Sequence, residues 1–350
     1  MEIKDKLERY KKFYAQKEPG TLLIKTQFPV EGSTSATYTD FDLNTWDGVK
    51  QYYRAAIQSA NAVAQAHEDL EDDSIPELFS HLGTGVGGAF FDDVPVVFTP
   101  ETSWAHASIH SYSELDRLDP ERDTPWAARF KEIAMYLKER CADRLCVAPV
   151  MHFSPLDAAN SLRGNELFTD FYEYPEELKR LLQYCTDVTL RLAREFGEIV
   201  GDVEGGQSMW NVWIPGRNAV GMMEDTSNLC SSETYLCFGR SYTEQIIGRY
   251  GGFVHNHMLG VHQFGQISSL KGLGVMNVAN DPKCPRVLEA LDQIAGNLSS
   301  PINFECTFDE LRENLERLHL VRAILWVHCS GSAQAKEAVR IVRQISRISA

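Results

Sequence analysis

The segment GGFVHNHMLGVHQFGQISSLKGLGVMNVAN, residues 251–280, decides the predicted fold. Two strand-like apolar runs, FVHNHML and GVMNVAN, flank a short helical stretch near residues 262–270. Two strands joined through a helix are typical of parallel neighbours with a crossover connection. We therefore predict a parallel βαβ unit in this segment.

The same alternation continues on both sides of this unit. Further strand-like runs are RLCVAPV (144–150), MWNVWIP (209–215), AVGMMED (219–225), PINFECT (301–307) and RAILWVHC (322–329). Helical patterns separate most of them, including a long one over 175–197 and another over 231–251. The number of units approaches eight, so we predict an α/β fold and favour a (β/α)8 TIM barrel over an open doubly wound sheet. Residues 1–50 lack this alternation of strand and helix patterns. We predict that they form a helical and irregular N-terminal extension, packed on a barrel of residues 51–350.

Composition narrows the class of protein. The 350 residues contain 34 Lys plus Arg against 49 Asp plus Glu, a net charge of −15, which disfavours nucleic acids and anionic membranes as partners. The first 20 residues lack the apolar core of a secretory signal, and no apolar run is long enough to span a membrane. The eight cysteines contain no CxxC pair and are interpreted as reduced thiols. We expect a cytoplasmic protein that acts on a small molecule, and a homodimer is left open.

His255 and His257 alternate along one predicted strand, so their side chains point to the same side. Two imidazoles on one face indicate either two ligands of one metal or an acid–base pair. The plainer alternative is one buried hydrogen-bonding histidine and one that lines the mouth of the barrel. Cys329, at the end of the last strand, is the predicted third metal ligand, although an unpaired cysteine is also a common small core residue.

Other candidates follow from the rule that the chemistry of a barrel lies at the carboxyl ends of its strands. Asp225 ends a strand-like run, where a carboxylate serves as a ligand, a base or an orienting partner, or simply as a turn residue. Aromatic, histidine and acidic residues near the predicted mouth are expected to bind substrate: Asp73, Trp104, His152 and Trp213.

The glycine-rich run Gly83–Gly88 satisfies G-x-G-x-x-G. A dinucleotide site needs a strand before this motif and a helix after it, and the preceding PELFSHL is a poor strand. We therefore interpret the run as a loop in which the backbone approaches a pocket closely. G-x-S-x-G, a Walker-type loop and H-E-x-x-H are all absent from the sequence.

Several ordered segments resemble the uroporphyrinogen decarboxylase superfamily, which includes cobalamin-dependent methyltransferases. They are FSPLDAANSLRGNELFTDFYEYPEELKRLLQYCTDV (153–188), MMEDTSNLCSSETYLCFGRSYTEQI (222–246), HNHMLG (255–260) and AILWVHCSGS (323–332). The resemblance covers about residues 70–350. The arginine-rich N-terminal segment of the decarboxylase branch is missing, since Arg9 is the only arginine among residues 1–50, and porphyrinogen decarboxylation is not expected.

The resemblance implies a zinc site. His257 and Gly260 match the His and Gly of the family motif H-x-C-G, whereas Leu259 replaces its cysteine. Cys329 matches a terminal-strand cysteine of methyltransferase members, and we infer that His255 replaces the lost thiolate. A methyltransferase of this type takes a methyl group from a separate corrinoid protein and transfers it to a zinc-activated thiol.

Three functions follow as hypotheses. The leading one is a methyltransferase-like enzyme with zinc on His255, His257 and Cys329, and with Asp225 orienting a ligand or accepting a proton. The second is a metal-free decarboxylase or lyase in which Asp225 and His257 form the acid–base pair. The third is a barrel that binds a ligand without catalysis.

Overall fold

A computed structural model describes residues 3–33, 36–141 and 144–348 of the chain. Its strands are β1 (Leu22–Gln27), β2 (Glu77–Phe79), β3 (Val96–Phe98), β4 (Ser103–Ala105), β5 (Cys146–Ala148), β6 (Met151–Phe153), β7 (Gly206–Met209), β8 (Val212–Pro215), β9 (Val220–Met223), β10 (Gly252–His257), β11 (Leu273–Ala279), β12 (Ile302–Thr307) and β13 (Ala323–His328). Its α-helices are α1 (Ile3–Ala15), α2 (Trp46–Ala66), α3 (Pro125–Cys141), α4 (Pro155–Arg163), α5 (Leu167–Glu173), α6 (Pro175–Val200), α7 (Ser232–Tyr235), α8 (Ser241–Tyr250), α9 (Phe264–Ser268), α10 (Leu291–Ile294), α11 (Phe308–Glu313) and α12 (Ser332–Ile345).

The main sheet is parallel and contains seven strands in the order β1-β13-β12-β11-β10-β9-β6. A second parallel ladder joins β2 to β5, and only two residues separate β5 from β6. If β5 and β6 are counted as one interrupted strand, eight strand positions follow one another around the sheet. This confirms the predicted α/β fold of the TIM-barrel type.

Alternation along each strand separates two cores. On β10, Phe253 packs inside the barrel with Leu23, Val275 and Ile324, while Val254 belongs to the outer core between the strands and the helices. Residues that lie an even number of positions from Phe253 along β10 therefore face the barrel interior, and we call this the inward parity. Residues that lie an even number of positions from Val254 face the helices, which is the outward parity. This rule places every candidate functional side chain.

The barrel includes part of the segment that was predicted to be an extension. β1 lies within residues 1–50 and pairs with β13 along its whole length, from Leu22 opposite Ala323 to Gln27 opposite His328. The barrel therefore begins at residue 22, and α1 is the helical part of the segment that precedes it.

The seam between β1 and β2 is closed by one backbone hydrogen bond and by side chains. Among the described residues no strand ladder joins the two, but the Asp73 N–H donates to the Ile24 carbonyl (2.6 Å) and the Asp73 carboxylate accepts from the Ile24 N–H (2.8 Å). The Asp72 carboxylate likewise accepts from the Thr26 N–H (3.1 Å). These buried carboxylates supply the hydrogen bonds that a neighbouring strand would otherwise provide.

The antiparallel hairpin β7–β8 and helix α1 fill the amino-terminal end of the barrel. Trp213 of β8 packs against the rings of Tyr10 and Tyr14 of α1, with centroid distances of 6.3 and 6.1 Å. The carboxyl ends of the strands are therefore the open mouth. In the described part of the chain, no helix is both long enough and apolar enough to cross a membrane.

Candidate metal centre

Three side chains converge at the mouth of the barrel. His255 and His257 point inward from the end of β10, and Asp225 follows β9, the neighbouring strand. The two Nε2 atoms lie 3.1 Å apart, and the Asp225 Oδ1 atom is 3.5 Å from His257 Nε2 and 3.9 Å from His255 Nε2. One ligand atom from each residue thus falls within 4.8 Å of the others.

The hydrogen bonds behind the histidines fix which ring nitrogen carries the proton. His257 Nδ1 lies 2.8 Å from the Asp281 carboxylate, so Nδ1 is the donor. His255 Nδ1 lies 2.6 Å from Asn277 Oδ1, and this amide oxygen accepts because Asn277 Nδ2 already donates to Asn303 (2.8 Å). Burial lowers the pKa of His255, although the Asp225 charge opposes this, so the ring stays neutral near pH 7. With Nδ1 as the donor in each ring, a neutral imidazole presents the lone pair of its Nε2 atom to the other ring.

Three lone pairs that face one another repel unless a cation lies among them. Asp225 Oδ1 is buried and accepts no hydrogen bond. A tetrahedral ion with bonds of about 2.0–2.1 Å to nitrogen or oxygen holds its ligand atoms about 3.3–3.4 Å apart, close to the observed separations. Carboxylate and carbonyl acceptors on the second nitrogen of each histidine are the usual surroundings of a metal-binding imidazole. The residues present therefore fit a divalent metal.

A buried carboxylate fixes the turn that carries Asp225. Asp157 accepts from the backbone N–H groups of Asp225 (2.9 Å) and Thr226 (2.6 Å). Burial and the Asp225 charge raise the pKa of Asp157 well above its usual range. A cation at the metal centre would offset this repulsion between the two carboxylates.

The structure corrects the predicted ligand set at Cys329. Along β13, Ile324, Trp326 and His328 have the inward parity, whereas Cys329 packs in the outer core with Val327. Burial raises the pKa of the Cys329 thiol to about 11, which disfavours the thiolate that binds metals. Cys329 is therefore not placed with His255 and His257, and Asp225 stands in the third position.

Leu259, which stands where the resembled motif H-x-C-G has its cysteine, does not face the centre. It follows β10 in a short 3-10 turn, and its side chain is 56% exposed. Its backbone N–H donates to the second oxygen of Asp281 (2.7 Å), which orients that carboxylate toward His257. Asp281 and the Leu259 backbone thus orient His257, and position 259 offers no thiolate.

A cleft of about 540 Å³ leads to Asp225 from the side of β6 and β9. Trp104, which is 61% exposed, lines it together with Phe153, Asn160 and Asp157. Gly85, from the glycine-rich run, also lines it, and a Cβ atom there would lie 2.1 Å from the Ser103 carbonyl oxygen. The glycine run therefore packs closely against the β3–β4 hairpin and approaches the cleft as predicted, but Gly85–Phe90 forms a 3-10 helix and not a loop.

Three other predicted binding residues lie away from this cleft. His152 has the outward parity and is buried beside Phe196, and burial lowers its pKa to about 4. Asp73 is fully buried and paired with Arg9 and Arg343. Trp213 lies at the amino-terminal end of the barrel, opposite the histidines. All three residues therefore have structural positions. The sequence did not show which face of its strand His152 occupies, that Asp73 is buried, or at which end of the barrel Trp213 lies.

Sequence reasoning missed Asn277 and Asp281, although a signal was present. Asn277, Ala279 and Asp281 alternate at the end of β11 in the same way as the histidines do on β10. Because Ala279 separates the two polar residues, their alternation was not recognised in the sequence.

The comparisons with known proteins concern the fold. No protein-family model and no curated protein matches the chain. Among solved structures, a methyltransferase from Methanosarcina mazei matches over 98% of each chain, with a TM-score of 0.59 and 11% sequence identity. The chain shares the fold of this methyltransferase. At such low identity the likeness is one of architecture.

Proposed function

We propose that the protein is a methyltransferase-like enzyme in which Asp225, His255 and His257 hold a divalent metal. The metal is zinc in this proposal, and the methyl group comes from a separate corrinoid protein and goes to a thiol acceptor. The observation that carries the proposal is the convergence of two imidazole lone pairs and one unpartnered carboxylate oxygen. The methyltransferase fold of the structural neighbour supports the reaction class.

In this proposal separate residues orient the metal ligands and admit the acceptor. Asp281 and Asn277 keep the lone pairs of the two histidines aimed at one point. When bound there, a divalent metal supplies Lewis acidity that lowers the pKa of a thiol. The cleft beside Asp225, with Trp104 at its rim, admits the acceptor. In the overall reaction the thiol loses its proton, a sulfur–carbon bond forms, and the cobalt–carbon bond of the donor breaks with its electron pair left on cobalt.

The test combines metal analysis with methyl transfer. Untagged protein, supplied with zinc, is expected to hold about one zinc per chain. It should then convert methylcobalamin and 2-mercaptoethanol to the thioether, followed by the change in cobalamin absorption. His257→Ala and Asp225→Ala should lose both zinc and transfer, whereas Cys329→Ser should keep both because Cys329 faces the outer core. Protein that binds no metal under these conditions would contradict the proposal.

A metal-free acid–base enzyme is the second candidate, and one contact favours it. His257 lies between two carboxylates, with Nδ1 2.8 Å from Asp281 and Nε2 3.5 Å from Asp225. A proton on Nε2 would then take the place of the metal, and the pair would suit a decarboxylase or lyase. This candidate predicts that dialysis against a chelator leaves activity unchanged, whereas the metal-dependent proposal predicts its loss.

A further inference from the structure

A second histidine–carboxylate pair lies at the mouth of the barrel. His328 ends β13, and its Nε2 atom is 3.1 Å from Glu305 Oε2 on β12. The imidazole stacks on Trp326, with ring centroids 5.4 Å apart. Both members of the pair are 37% exposed, so the pair opens toward solvent instead of the core.

The contact with Glu305 leaves His328 able to accept a proton. The bond from His328 outweighs partial burial and lowers the pKa of Glu305, so this carboxylate is ionised near pH 7. Because the carboxylate accepts from Nε2, the neutral ring carries its lone pair on Nδ1. Two basic side chains lie near the pair on neighbouring elements. Arg286, itself bound to Glu310, lies beside Glu305, and Lys25 of β1 lies 4.0 Å from the centre of the Trp326 ring.

Strand register places this pair beside the metal centre. His257 is paired with Ala279 on β11, and Val278 is paired with Phe304 on β12, so the next row places Glu305 beside Ala279. His257 and Glu305 are thus two strands apart, about 10 Å between Cα atoms. Ala279 carries only a methyl group between them. His328 lies one strand further, on β13, and like Glu305 and His257 it has the inward parity at the open mouth. A small molecule at the metal centre therefore shares this mouth with the His328–Glu305 pair.

The proposed function requires a base that the metal centre does not supply. If Asp225, His255 and His257 each give a lone pair to the metal, none of the three is free to take the proton of the thiol. His328 is an oriented imidazole with a free lone pair at the same mouth.

We infer that His328 is the general base of the proposed reaction and that Glu305 is its positioning residue. The inference rests on the proposed function. The S–H bond of the acceptor breaks, its proton passes to His328 Nδ1, and the sulfur keeps the electron pair that forms the new bond to the methyl carbon. Glu305 holds the imidazolium while the proton is present.

The test follows thiol deprotonation without the methyl donor. Protein loaded with Co²⁺ is mixed with 2-mercaptoethanol, and the rate at which thiolate-to-cobalt absorption appears is recorded against pH. We expect His328→Ala to slow this step about 100-fold, with cobalt content unchanged and with partial rescue by added imidazole. Glu305→Gln is expected to change the pH profile of this rate, because the carboxylate charge that stabilises the imidazolium is gone. His262→Gln is the control, since His262 is an exposed mouth residue bonded to the Cys230 carbonyl.

The outcomes separate the two proposals. Equal rates and equal pH profiles in wild type, His328→Ala and Glu305→Gln would overturn the role of His328 while the thiol site stands. Cobalt-loaded wild-type protein that shows no thiolate absorption would overturn the proposed function, and the base role with it. A slow step in His328→Ala that imidazole does not rescue would assign His328 a structural role instead.

Discussion

At the scale of single residues, the metal centre depends on groups that do not touch the metal. Asp281 bonds His257 Nδ1 with one oxygen and the Leu259 N–H with the other, so it fixes both the tautomer and the orientation of the imidazole. An asparagine at this position keeps the size of the side chain and loses its negative charge.

Asp281→Asn should therefore weaken zinc binding without unfolding the protein. Loss of such an outer carboxylate typically raises the metal Kd about 10–100-fold. Competition with a chromophoric chelator measures this Kd. Asp292→Asn, which removes an exposed partner of Arg317, is the matched control and should leave the Kd unchanged. Equal zinc affinity in Asp281→Asn and wild type would contradict the role assigned to Asp281.

At the residue scale, the sequence predicted side-chain positions where alternation was unbroken. The pair His255 and His257 was found from spacing alone, and Asp225 from its place at a strand end. Cys329 was misplaced by a single residue, because a shift of one position along a strand moves a side chain to the opposite face. His328, its neighbour, is the inward residue.

At the scale of elements, two polar side chains of the barrel interior hold the tip of the β7–β8 hairpin. Trp210 and Asn211, at its tip, have positive φ angles of 50° and 61°, a conformation that is uncommon for tryptophan. Lys25 donates to the Trp210 carbonyl, and Glu77 accepts from backbone N–H groups of the same tip. The Trp210 ring then packs edge-on against His255, with centroids 5.1 Å apart. Lys25 and Glu77 thus fix the hairpin tip that packs beneath the metal centre.

The Lys25 contact predicts a pH-dependent stability. Burial lowers the pKa of Lys25 to about 7, against the attraction of Glu77, whereas an unfolded lysine has its ordinary value of 10.5. Between these two values the unfolded chain binds more protons than the folded chain, so the free energy of unfolding rises with pH. Wild type should therefore gain stability relative to Lys25→Met between pH 7 and about pH 10, as measured by chemical denaturation.

Lys336→Met, which removes an exposed lysine of α12, is the control for this experiment. Its stability difference from wild type should vary little with pH. A pH-independent difference between wild type and Lys25→Met would show that Lys25 is not desolvated as described.

At the scale of the whole molecule, the sequence predicted the regular part of the barrel and missed its seam. Units from β9 to β13 have clear strand and helix patterns, because their strands are buried on both faces. β1 was assigned to an extension, since its neighbour β2 has three residues and lies some fifty positions away. The seam between them is made by Asp72 and Asp73, and hydrogen bonds from side chains leave no periodic trace in a sequence.

The most direct test of the account is X-ray absorption at the zinc edge, on the wild-type protein and on Cys329→Ser. We predict a first shell of nitrogen and oxygen only at about 2.0–2.1 Å, with imidazole scattering, identical in the two proteins. A sulfur ligand at about 2.3 Å that disappears in Cys329→Ser would contradict the account, because it would place the Cys329 thiolate on the metal in the position assigned to Asp225.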